Sequence, residues 1–166
     1  MNRCKEWNRL TQEQKDIILK HQESFPIKLG ALAKDFGLIV KSSTLRPGIS
    51  GFIKDNGGEV IIKISRHDSK ERQRFTLAHE IAHFLLHKEE IKGGIEDTML
   101  YRSNVSSELE VEANKLAADI VMPFSLIHKV KFSSEITFEE KVEKVASLAQ
   151  LSTAAVKIRI GRKEFW

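Results

Sequence analysis

The chain has 166 residues, 41% hydrophobic and 30% charged, with 3 Pro, 9 Gly and one cysteine. That length fits about one domain, and the composition excludes disorder, collagen-like repeats and Pro-rich linkers. Lys plus Arg number 27 against 23 Asp plus Glu, a net charge of +4, which allows weak attraction to nucleic acid without requiring it.

The opening stretch MNRCKEWNRLTQEQKD has no apolar segment behind its basic residues, so no signal peptide is expected. Apolar runs such as FLL and DIVMPF fall far short of the roughly 20 residues of a membrane span. Cys4 alone excludes an intramolecular disulfide and any multi-cysteine metal site, and it suits a reducing compartment. The expectation is a cytoplasmic protein with no membrane partner.

Residues 10–24 predict a helix with Thr11 and Gln14 as its capping box and Pro26 as its stop. Leu29 to Phe36 predict a second short helix closed by Gly37, and Leu38 to Val40 a strand. GISGFIK, DNGG and EVIIKIS across residues 48–65 predict a hairpin, because Asn-Gly between β-branched runs favours the turn that strand twist requires. Asp68, with Glu71 three residues on, opens a helix to about His87; Phe75, Ala78, Ala82, Leu85 and Leu86 fall at helical spacing. Residues 92–104 are polar and read as loop. Ser107 and Glu110 are the expected capping pair of a helix over 108–121 that Pro123 ends. Thr137 and Glu140 cap another through Gln150, and a last one runs from Thr153 to Arg162. Helices, a small antiparallel sheet, then helices make an α+β chain. Its parts are N-terminal helices and a first strand (1–47), a central hairpin with two long helices (48–123) and a C-terminal helical pair (124–166).

His79-Glu80-Ile81-Ala82-His83 is HExxH inside the long helix. Residues four apart share a helix face, so two imidazoles can grip one metal ion. Glu80 projects about 100° round from His79, where a carboxylate can take the proton of a metal-bound water. A catalytic zinc site takes three protein ligands and keeps one position open. His87 lies about 12 Å along the axis from His79, too far to share the ion easily, and reads as a helix-end residue or one that supports a ligand. The helix over 108–121 is the better source. Its apolar stripe is Leu109, Ala113, Leu116, Ala117 and Ile120, and Glu112 is assigned to that stripe. A carboxylate aimed at a core needs a partner or a metal, so Glu112 is the expected third ligand, with Glu108 next in line and Glu110 expected to face solvent. Asp119 returns to nearly the face of Glu112, where it either orients a ligand imidazole or is a plain surface aspartate.

RFTLAHEIAHFLLH (74–87) followed by ELEVEANKLAADIVMP (108–123) resembles the ImmA/IrrE family of zinc metallopeptidases over roughly residues 48–162. Ala82, Leu116, Asp119 and Val121 depart from the family's usual residues, and none removes a chemical group. The resemblance implies a helix-rich, zincin-like (gluzincin-like) metallopeptidase fold with the small sheet over the active-site helix. It implies Zn2+ held by His79, His83 and Glu112, with Glu80 as catalytic base. It also implies a protein substrate: a helix-turn-helix repressor encoded nearby, cleaved to release genes of a mobile element or defence system. An exposed strand of the hairpin is positioned to pair with an extended substrate segment.

Other residues suggest further roles. VASLAQLSTAAVKIRIGRK (145–163) reads as a helix-turn-helix with Lys157, Arg159, Arg162 and Lys163 on its second helix. It is either a pair packed on the core or the reader of a non-catalytic DNA-binding regulator, and nucleic acid as an activating signal is compatible with it. Cys4 is a candidate inhibitory ligand for the open metal position. Tyr101 is the candidate donor to the developing oxyanion, with Arg74, Arg102 and His128 as rivals.

Overall fold

The computed structural model describes residues 3–91, 107–131 and 136–161. After a 3-10 helix at Lys5–Arg9 come α1 (Gln12–His21) and α2 (Leu29–Asp35), then strands β1 (Ile39–Ser43), β2 (Gly51–Asp55) and β3 (Val60–Ser65). Helices α3 (Lys70–Leu86), α4 (Lys88–Ile91), α5 (Ser107–Val121), α6 (Phe124–Lys131), α7 (Phe138–Ala149) and α8 (Thr153–Ile160) follow. The result is a helix-rich α+β fold, and none of the described helices is long and apolar enough to cross a membrane.

The caps follow local chemistry. Thr11 accepts from the Gln14 backbone while the Gln14 side chain returns to Thr11, and Thr137 with Glu140 repeats the arrangement. These reciprocal bonds satisfy amide groups that the first helical turn leaves unpaired. At the start of α3, however, the cap is Ser69, which accepts from the Arg72 amide. Asp68 instead offers its carbonyl to Gln73 and its carboxylate to Arg72 at 3.4 Å. Pro123 lies between α5 and α6, its carbonyl accepting from Leu126 and Ile127; a residue without an amide proton costs nothing there, because the amides at a helix start have no partner within the helix.

The sheet order is β1-β3-β2. β2 and β3 form the expected antiparallel hairpin, with Ile53 opposite Ile62. Gly57 and Gly58 take φ of +73° and +102° at its turn, and Asp55 accepts the Gly58 amide at 2.7 Å. β1 pairs with β3 in parallel, Val40 opposite Ile62, so the sheet is mixed and not purely antiparallel. The turn residues fix only the hairpin; the segment 44–50 then carries the chain past β3 to the far edge.

The sheet lies against α3, and α3 lies along α5. Ala78, Ile81 and Ala82 of α3, and Ala113, Leu116, Ala117 and Ile120 of α5, are fully buried. The alanines let the two helix axes approach closely, and that approach brings polar side chains of one helix within reach of the other.

Candidate metal centre

His79 and His83 stand one turn apart on α3. Their rings meet edge to face, centroids 4.5 Å apart, and their Nε2 atoms are 3.0 Å apart. Glu110, from the first turn of α5, brings Oε2 to 3.2 Å from His79 Nε2 and Oε1 to 3.2 Å from His83 Nε2. All three ligand atoms lie within 4.8 Å of one another, and among the described residues this is the cluster able to hold a metal ion. The two imidazoles pull the Glu110 carboxyl far below its ordinary range, outweighing its partial burial. Burial lowers the pKa of His83, so this imidazole stays neutral at neutral pH and its ring nitrogens keep a lone pair to offer. Two imidazoles and one carboxylate, gathered at one point, are donor types that divalent metal ions take. The residues present therefore fit a divalent ion.

Glu112, the expected third ligand, lies elsewhere. Its Oε2 is 3.0 Å from His87 Nε2 and 2.6 Å from Arg9 Nη1, and those partners hold its pKa low, His87 first. The reason is angular. At about 100° per residue, Glu110 falls about 20° from Ala117 and Glu112 about 40° from Leu116. The two glutamates thus flank the same apolar stripe on opposite edges, and the arrangement of α3 decides which edge meets the histidines. Glu110 is accordingly directed at the histidines and not at solvent; the side chain of Ser107, its expected capping partner, lies outside the described residues. Glu108 is exposed.

A second ring of contacts surrounds the first. His79 Nδ1 is 3.1 Å from Asn114 Oδ1, and His83 Nδ1 is 3.0 Å from His87 Nδ1. His87 is the C-cap of α3 and only 2% exposed, at the helix end beside a ligand as its spacing suggested. Asn114 was not singled out from the sequence, although it stands four residues after Glu110 and so shares its face.

Glu80 is fully buried and, with His79, lines a cleft of about 780 Å³. Its lining includes the stretch 48–50 leading into β2, with Phe52, and Phe75 and Thr76 of α3. Leu151 and Ser152, from the turn between α7 and α8, also line it.

The remaining candidates are placed as follows. Asp119 is fully buried and ion-paired with Arg159 of α8, and its Oδ2 accepts the Cys4 amide at 2.6 Å. It therefore neither orients a ligand imidazole nor lies on the surface. Arg159, expected on a DNA-facing surface, is 4% exposed, while Lys157 is exposed. Burial and the neighbouring Asp119 carboxylate raise the Cys4 pKa, so Cys4 is a protonated thiol held beside Asp119 and not a thiolate ligand. Arg74 donates to the carbonyls of Ala149 at 3.2 Å and Ile27 at 3.0 Å, which occupies its guanidinium with chain connections. His128 packs on Phe124 with ring centroids 5.4 Å apart. Tyr101, Arg102, Arg162 and Lys163 lie outside the described residues.

Residues 29–161 match the profile of the IrrE N-terminal-like domain, peptidase M78. Ten solved chains also match. One, a Mycobacterium tuberculosis transcriptional regulator, superposes with a TM-score of 0.57 at 13% identity, over 93% of this chain and 48% of that one. This chain thus spans about half of that relative, and the likeness is one of fold. No curated protein gives a significant sequence match.

Proposed function

Because the chain belongs to the family of the IrrE N-terminal-like domain, peptidase M78, we propose that it is a zinc-dependent endopeptidase. In this reading His79, His83 and Glu110 hold the metal and Glu80 is the general base. One observation carries it: two imidazoles and a carboxylate from separate helices meet at 3.0–3.2 Å beside a buried glutamate at an open cleft. A divalent ion bound there supplies Lewis acidity and a water of lowered pKa. Glu80 takes a proton from the attacking water as its oxygen adds to the scissile carbonyl carbon. The same carboxyl returns that proton to the amide nitrogen as the C–N bond breaks, leaving a carboxyl and an amine.

The cleft suits an extended peptide. Its lining at 48–50 and Phe52 runs into β2, an edge strand of the sheet, and a substrate strand laid beside it gains backbone hydrogen bonds whatever most of its side chains are. We take the substrate to be a helix-turn-helix repressor encoded beside the protease. The competing reading, a non-catalytic DNA-binding regulator, loses support because Arg159 is buried on Asp119 and cannot reach a phosphate from there.

Glu80→Gln tests the mechanism. The variant is expected to retain about one zinc per chain while repressor cleavage, followed by mass spectrometry, falls about 10²- to 10⁴-fold, the range for a positioned acid–base group. Undiminished cleavage by that variant would remove Glu80 from the chemistry.

A further inference from the structure

The HExxH helix ends in a third histidine that lies outside the cluster of His79, His83 and Glu110 and is buried, 2% exposed, between His83 and a carboxylate. Burying an imidazole is costly unless its nitrogens are paired, and His87 has a polar partner at each. The contacts run in an unbroken line. Arg9 Nη1 donates to Glu112 Oε2 at 2.6 Å, the same oxygen is 3.0 Å from His87 Nε2, and His87 Nδ1 is 3.0 Å from His83 Nδ1.

The direction of each bond follows from the acceptor at its end. An ionised carboxylate only accepts, so His87 Nε2 carries a proton and donates to Glu112. In a neutral imidazole the other nitrogen then accepts, so His83 Nδ1 donates to His87 Nδ1. That leaves His83 Nε2 with its lone pair, aimed at the point shared with His79 Nε2 and Glu110. The opposite tautomer of His83 would put a proton where a metal must sit.

We propose that His87 and Glu112, anchored by Arg9, are positioning residues that fix the tautomer and ring angle of His83 and so set the affinity of the metal site. This rests on the reading that His79, His83 and Glu110 hold the ion. It also assigns a role to the N-terminal segment. Arg9 closes the 3-10 helix and also donates to the Leu86 carbonyl at 3.1 Å, so docking of residues 5–9 steadies the end of α3 where His83 and His87 sit.

The test is the dissociation constant for Zn2+ alone, by competition with a chromophoric chelator, with the melting curve of each metal-free variant showing that it folds. His87→Leu fills the space but cannot accept from His83, and zinc affinity is expected to fall about 10- to 100-fold, as for other partners of ligand histidines. His87→Gln restores both contacts, its amide oxygen accepting from His83 and its amide nitrogen donating to Glu112, and is expected within a few-fold of the parent. Glu112→Ala, on a side chain 30% exposed, folds even if the buried Leu variant does not, and is expected to lose affinity in the same direction. Parent-like binding by Glu112→Ala and every folded His87 variant, or equal losses for His87→Leu and His87→Gln, would overturn the proposal while leaving the three-ligand site standing. A parent protein that binds no zinc would instead overturn the metal centre itself, and this inference with it.

Discussion

Two glutamates two positions apart on α5 have opposite assignments, and the difference is one of geometry, not chemistry. Glu110 faces His79 and His83; Glu112 faces His87 and Arg9. In the proposed reading, removing Glu110 deletes a donor to the ion itself, whereas removing Glu112 deletes a support one imidazole further out. Glu110→Ala is therefore expected to weaken zinc binding beyond the 10- to 100-fold typical of outer partners, and Glu112→Ala to stay within it. Isothermal titration with zinc separates the two, and a larger loss for Glu112→Ala would restore that residue as the ligand. Asn114 belongs with the outer group. Its carbonyl oxygen, 3.1 Å from His79 Nδ1, does for His79 what His87 does for His83.

At the level of elements, the relation of sheet to active-site helix depends on a position with no side chain. A Cβ on Gly51 would lie 2.6 Å from Thr76 Cγ2 and 2.9 Å from the Lys63 carbonyl oxygen, so β2 reaches α3 only because nothing projects there. Gly51→Ala is expected to cost about 1–3 kcal/mol, the usual range for overpacking, read as a lower urea midpoint with an unchanged slope. Since Thr76 lines the cleft, the strain falls on the wall that a substrate strand would meet. These contacts also show what a sequence reveals. His79, Glu80 and His83 were legible because all three lie on one helix, at a spacing that is itself the signal. The two capping boxes were legible for the same local reason. Glu110 was not, because choosing between the two edges of α5 needs the crossing of α3 over α5, a long-range fact. The parallel partner of β1 and the start of α6 just after Pro123 were hidden similarly: a strand does not announce its neighbour, and a proline that stops one helix can stand directly before the next.

At the scale of the whole molecule, α5 is the beam to which both residues 3–9 and α8 are fastened. Three positions on it, 112, 115 and 119, hold the N-terminal segment: Arg9 on Glu112, Glu6 on Lys115 at 3.5 Å, and the Cys4 amide on Asp119. Spaced by three and then four, they lie along one face of the helix. Arg3 and Gln22 add donors to the Asp119 carbonyl at 3.2 and 2.8 Å. From the other end, Arg159 of α8 pairs with the same Asp119 carboxylate. The contacts are not of equal weight. Arg9 is 47% exposed, and an exposed pair is worth about 0–1 kcal/mol, so Arg9 matters for where His87 is held more than for stability. Asp119 and Arg159 are 0% and 4% exposed, and breaking a buried pair from one side strands a charge where water cannot reach it. Arg159→Leu is therefore expected to lower unfolding stability by about 3–5 kcal/mol and to loosen residues 3–9, seen as faster amide exchange there. Replacing both partners, Asp119→Leu with Arg159→Leu, removes the stranded charge and is expected to recover most of the loss in urea denaturation. Recovery of stability without recovery of slow exchange at residues 3–9 follows from the same geometry, because the double variant restores the core but not the acceptor that the Cys4 amide requires.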